Sequence, residues 1–143
     1  MLPIIALTLG LIAHTNCLAA TQQEVLKADS GEHSFLASTE NPLISVPIEN
    51  NRTTGFNWYL EEYNEKLIQP VASSYDTATP QDMQTSIVGA PGVTTWKFKV
   101  LKPAFRVPTV TKVVLRYARS WNQTSSITKT IWIFTSDYDS HTA

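Results

Sequence analysis

The chain has 143 residues, 43% hydrophobic and 16% charged, which excludes a disordered chain and suits one folded domain with an ordinary core. A formal net charge of −1 excludes a dedicated nucleic-acid binder, which needs a basic surface to neutralise phosphates. Runs of like charge, low-complexity tracts and internal repeats are absent.

In chain order, residues 1–20 carry no charged side chain, and the stretch from Leu2 to Ala13 is mostly apolar. At about twelve residues it is too short to span a bilayer, which takes roughly twenty. It fits the central region of a signal peptide, with cleavage near Ala19 or Ala20. The expectation is therefore an exported protein: residues 1–20 as leader, 21–143 as the mature domain, and no membrane attachment once the leader is gone. Cys17, the only cysteine, lies in that leader. The mature chain then holds no disulfide, no thiol nucleophile and no cysteine metal site.

Residues 21–41 are polar and weakly patterned, reading as a linker followed by an edge strand around 33–36. Residues 43–48 (LISVPI) put Ile44, Val46 and Ile48 on one face, and Pro47 assigns the strand to an edge or terminal position. Residues 56–60 alternate, with Phe56, Trp58 and Leu60 inward and Asn57 and Tyr59 outward. Residues 61–86 are polar and loop-rich, with a strand at 67–75. Residues 94–101 are the clearest strand, Trp96, Phe98 and Val100 opposing Thr95, Lys97 and Lys99. Residues 111–118 and 127–134 are two more, rich in β-branched and aromatic side chains, and the tail from Asp137 is polar. No segment sustains a helical period. About six or seven short strands separated by turn signals predict an all-β antiparallel sandwich with Trp58, Trp96 and Trp132 in its core.

Catalytic constellations are missing. None of His14, His33 and His141 stands in a strand-end motif beside a serine or an acid. Asp137, Asp139 and His141 read as a solvated tail rather than a metal site. Glu61 and Glu62 are adjacent and are expected on opposite faces of a strand, wrong for paired acid–base work. No glycine-rich phosphate loop occurs. The expectation is a non-enzyme with no catalytic residue, no metal and no cofactor.

Three loops carry the functional signal: Asn51-Arg52-Thr53-Thr54-Gly55-Phe56 between two strands, Gly89-Ala90-Pro91-Gly92 before a strand, and Arg116-Tyr117-Ala118-Arg119-Ser120-Trp121 leaving one. Singly they are ordinary turn chemistry or a strand-end aromatic. In order and spacing they resemble the chagasin family of cysteine-protease inhibitors, which has an Asn-Pro-Thr-Thr-Gly-aromatic loop, a Gly-x-x-Gly loop and an Arg-x-Tyr-x-Arg-Pro-Trp segment. The resemblance covers about residues 42–134.

That resemblance implies an immunoglobulin-like sandwich whose three loops plug the cleft of a papain-like cysteine protease, reversibly and without covalent chemistry. It implies a chain that is a monomer when free. Thr53, Thr54 and Gly55 would lie at the catalytic centre. Arg119, Ser120 and Trp121 would hold one flank, and Gly89, Ala90, Pro91 and Gly92 the other. Tyr117 reads as structural and Arg116 as a solvated side chain on the opposite face. Arg52 and Ser120 replace the family's two prolines, at a combined cost of about 1–2 kcal/mol in loop order. Arg52 could offset this against an acidic protease surface. The sequons at Asn51 and Asn122 fall in the same loops, so the active form is expected to be unglycosylated at both. The alternative is an exported immunoglobulin-like binding or adhesion module without inhibitory activity.

Overall fold

The computed structural model describes residues 23–77 and 91–136. The expected leader with His14 and Cys17, Gly89 and Ala90 of the second loop, and the tail with Asp137, Asp139 and His141 lie outside the described residues. Among the described residues, seven strands follow one another: β1 (Gly31–Ala37), β2 (Leu43–Asn50), β3 (Phe56–Glu62), β4 (Ile68–Thr77), β5 (Gly92–Val100), β6 (Thr109–Arg119) and β7 (Asn122–Thr135). Single 3-10 turns occupy Arg52–Thr54 and Lys102–Phe105. The strands make two sheets, β1-β7-β6-β3 and β2-β5-β4. Both contribute to one apolar cluster in which Val46, Ile48, Phe98, Val113, Leu115, Ile131 and Ile133 are fully buried.

The period-two pattern accounts for most of this. On β5, Thr94, Phe98 and Val100 are buried and Trp96 is half-buried, while Lys97 and Lys99 are exposed. β2 lies at a sheet edge, as Pro47 requires: its carbonyl accepts the Leu26 N–H at 2.9 Å. A strand residue's N and C=O point the same way, so the missing N–H faces away from β5. Trp58 is buried and its Nε1 donates to the Glu49 carbonyl at 2.9 Å. The Trp96 Nε1–H is buried without an acceptor among the described residues.

The structure corrects four expectations. Trp132 is not core: Ile131 and Ile133 point inward, so Trp132 stands on the outer face beside Tyr63, Val110 and Lys112. β1 is an edge strand but runs parallel to β7. It crosses to the other sheet through the Ser38–Asn41 turn instead of closing a hairpin, so nothing forces it to oppose β7. Glu61 and Glu62 share a face, because the ladder to β6 slips between Leu60 and Glu62. Such a bulge sets two successive residues against one, and the pair meet Arg116 and Lys112, two even-numbered residues of one β6 face. Arg116 is thus half-buried and paired, with a further bond from Nη1 to Ser126 Oγ at 2.9 Å.

Residues ahead of the first expected strand also pack into the fold. Leu26 is buried and bridges to Ile48, and Lys27 pairs with Glu49 at 2.8 Å. Residues 26–30 thereby cross from the edge of β2 to the edge of β7. Lys129, fully buried on the inward face of β7, closes this crossing: its Nζ donates to the Lys27 carbonyl at 2.6 Å and to Asp29 Oδ1 at 2.7 Å. The bond from Lys129, with its charge, holds the Asp29 carboxyl below its ordinary pKa.

Candidate functional site

Strand register brings the first loop, the third loop and the Gly92 end of the second to one end of the sandwich. Asn50 and Thr77 both pair with Gly92, Phe56 pairs with Arg119, and Arg119 pairs with Asn122 across the tip of the β6–β7 hairpin. The first loop therefore crosses from one sheet to the other between Gly92 and the tip of the β6–β7 hairpin.

Its shape is set locally. Asn51 leads into the 3-10 turn; its carbonyl accepts the Thr54 hydroxyl at 2.7 Å and its Oδ1 accepts the Thr53 hydroxyl at 2.6 Å. Both threonines are exposed. With their protons directed inward, their oxygens present lone pairs outward, so toward a partner they are acceptors. Gly55 ends the turn at φ 80°, where a Cβ is disfavoured. A Cβ there would also fall 2.3 Å from Cη2 of Trp121. The glycine is thus required twice, by its backbone and by the indole lying against it.

Each side of the loop is braced. On the β6 side, the Tyr117 ring packs between Phe56 and Trp58, with centroids at 5.1 and 4.8 Å, and its hydroxyl accepts the Asn51 N–H at 3.1 Å. Arg119 donates from Nε to the Thr54 carbonyl at 3.0 Å, and its guanidinium lies 4.4 Å from the Phe56 centroid. On the β4–β5 side, the Arg52 guanidinium sits 4.2 Å from the centroid of Tyr75. That ring covers Gly92, where a Cβ would meet it at 2.5 Å. Beneath, Asn50 is fully buried and gives both Nδ2 protons, to Asn57 Oδ1 at 2.8 Å and Thr94 Oγ1 at 2.7 Å.

The structure brings together Asn51, Arg52, Thr53, Thr54, Gly55, Phe56, Gly92, Arg119, Ser120 and Trp121. Ser120 is exposed at the hairpin tip, and Trp121 is 72% exposed, so it is no core residue. Pro91 is exposed just before β5. Tyr117 is structural, as its strand position implied. Sequence reasoning missed Tyr75: its strand was legible, but nothing in residues 67–75 indicates a ring under Arg52. Nor did it show that the exposed Arg52 side chain, expected to meet an acidic protease surface, stacks on a ring of its own domain.

Chemically, this end is a rigid projection and not a reaction centre. Two hollows among the described residues lie elsewhere: about 710 Å³ beside Tyr63 and Trp132, and about 550 Å³ between Pro42, Leu101 and Phe105. Among the described residues, no group of three or more His, Cys, Asp or Glu could hold a metal ion.

Comparison with known proteins agrees. The sequence profile described as "Chagasin family peptidase inhibitor" matches residues 38–135. No curated protein matches the chain in a sequence search. Among solved structures, a cysteine protease inhibitor from Entamoeba histolytica shares the fold with a TM-score of 0.50 at 21% identity, covering 76% of this chain and 93% of that one. The match spans well over half of the chain, including the first and third loops and the start of β5, and the chain belongs to the chagasin family of peptidase inhibitors.

Proposed function

We propose that this chain is an exported, monomeric, reversible inhibitor of papain-like cysteine proteases, and that the loop-bearing end of its sandwich enters the active-site cleft. The observation that carries this reading is the bracing of the first loop from both sides, with Thr53, Thr54 and Trp121 left exposed. A loop held in this way loses little conformational entropy on binding, and avoided ordering cost is a main source of affinity. Inhibition without cleavage needs the cleft filled while every peptide bond stays out of attack geometry. The 3-10 turn with its left-handed Gly55 presents curved backbone rather than an extended, substrate-like strand. Trp121 adds a large aromatic anchor with one donor, the residue type most enriched at binding hot spots.

The test is titration of the domain into active papain with a fluorogenic peptide substrate. Tight, dilution-reversible inhibition is expected, with trypsin unaffected. Absence of inhibition of several papain-type enzymes at micromolar concentration would leave an immunoglobulin-like binding module as the reading.

A further inference from the structure

We propose that Tyr75 is a positioning residue for the first loop, and that the stack of Arg52 on Tyr75 on Gly92 fixes the loop's binding shape. Three observations converge on it. The Arg52 guanidinium lies 4.2 Å from the Tyr75 centroid and, among the described residues, makes no ion pair. Tyr75 can lie there only because position 92 lacks a Cβ, which would come within 2.5 Å of the ring. Arg52 is the first residue of the 3-10 turn, whose last residue, Thr54, is held by Arg119 from the opposite sheet. The stack and the Arg119 bond therefore hold the two ends of one short turn from two different sheets. Gly92, in this arrangement, is a seat for Tyr75.

Position 52 also shows how the stack can be replaced. Its backbone N–H makes no hydrogen bond among the described residues, and Asn51 has φ −104° and ψ 87°, outside the helical region. A proline fits the first position of a helical turn under those conditions and fixes the backbone without any side-chain contact.

The proposal rests on the inhibitory reading above, so the experiment has two readouts. Inhibition constants against papain are measured for the wild type, Arg52→Ala, Tyr75→Ala, the double variant, Tyr75→Phe, and Tyr75→Ala combined with Arg52→Pro. Amide exchange at Thr54 and Gly55 is followed on the same proteins. An exposed cation–ring contact corresponds to about two- to fivefold in an equilibrium constant. Each alanine is expected to weaken inhibition and speed exchange by about that factor, with the double variant no worse than Tyr75→Ala. Phenylalanine at 75, and proline at 52 over Tyr75→Ala, are expected to restore both. Fully additive effects, no rescue by proline, or exchange that ignores Tyr75→Ala would each overturn the proposal. If the wild type inhibits no cysteine protease, the functional reading falls, and exchange alone decides the role of Tyr75.

Discussion

Replacing Trp121 by alanine separates binding from folding more sharply than any other single change. The side chain is 72% exposed, so little more than a quarter of its area touches the domain, Gly55 included. For a side chain of about 250 Å² at about 25 cal/mol per Å², that contact stabilises the fold by less than about 2 kcal/mol. A core tryptophan would cost about 3–5 kcal/mol on the same change. As an anchor in a protease cleft, the indole is worth about 2–4 kcal/mol, or some 30- to 1,000-fold in the inhibition constant. Thermal unfolding and papain inhibition on one purified variant read both quantities. The expected result is a melting temperature lowered by less than about 10 °C and inhibition weaker by at least about 30-fold. A variant that melts normally and inhibits normally refutes the assignment of this end as the binding end. A large loss of melting temperature refutes the accounting of its burial.

Three further outcomes are expected. Thr53→Tyr, at an exposed position of the turn, should weaken inhibition by bulk while circular dichroism stays unchanged, and Lys97→Ala, exposed on β5, should alter neither. Dithiothreitol should leave fold and inhibition intact with a pre-activated protease, because Cys17 is the only cysteine; structure lost on reduction would show that a segment containing Cys17 takes part in the fold. Asp29 is held below its ordinary carboxylate pKa of 3.8 by Lys129, so its contribution is complete above that value and disappears as pH falls through the lower, folded one. Asp29→Asn should therefore lower the melting temperature at pH 7 and lower it by less as the pH falls below 3.8; an effect that does not shrink in acid would remove the ion pair as the cause.

Sequence legibility followed physical range. Period-two alternation placed β2 and β5 and most of β3 correctly, because there one face is apolar and the other polar; Asn57, expected outward, is half-buried and accepts from the buried Asn50. It failed at β7, where Ile131, Trp132 and Ile133 are all apolar and alternation gives no phase; burial of the two isoleucines set Trp132 outside. The slip at Leu60 leaves no mark on the sequence, since a bulge is a property of the pairing with β6 and not of β3 alone. At the candidate site, glycines and threonines announced the turn through local chemistry. The braces did not show, because Arg52 with Tyr75, and Thr54 with Arg119, are joined only by sheet packing. Lys129 was invisible for the same reason: its partners lie about a hundred residues earlier.

The crossing segment also bears on how the domain can be trimmed. A recombinant fragment cut at residue 38, where the family profile begins, would discard Leu26, Lys27, Asp29 and all of β1. Lys129 would keep its place on the inward face of β7 with neither ligand left, and a buried ammonium without partners is among the costlier defects a core can hold. The cut would also bare one edge of β7, a fourteen-residue strand carrying Ile127, Ile131, Trp132, Ile133 and Phe134. A long apolar edge of that kind is a template for pairing with other chains. Such a fragment should collect in inclusion bodies, whereas a fragment starting at or before Gln23 keeps both the ammonium's ligands and the strand that covers the edge.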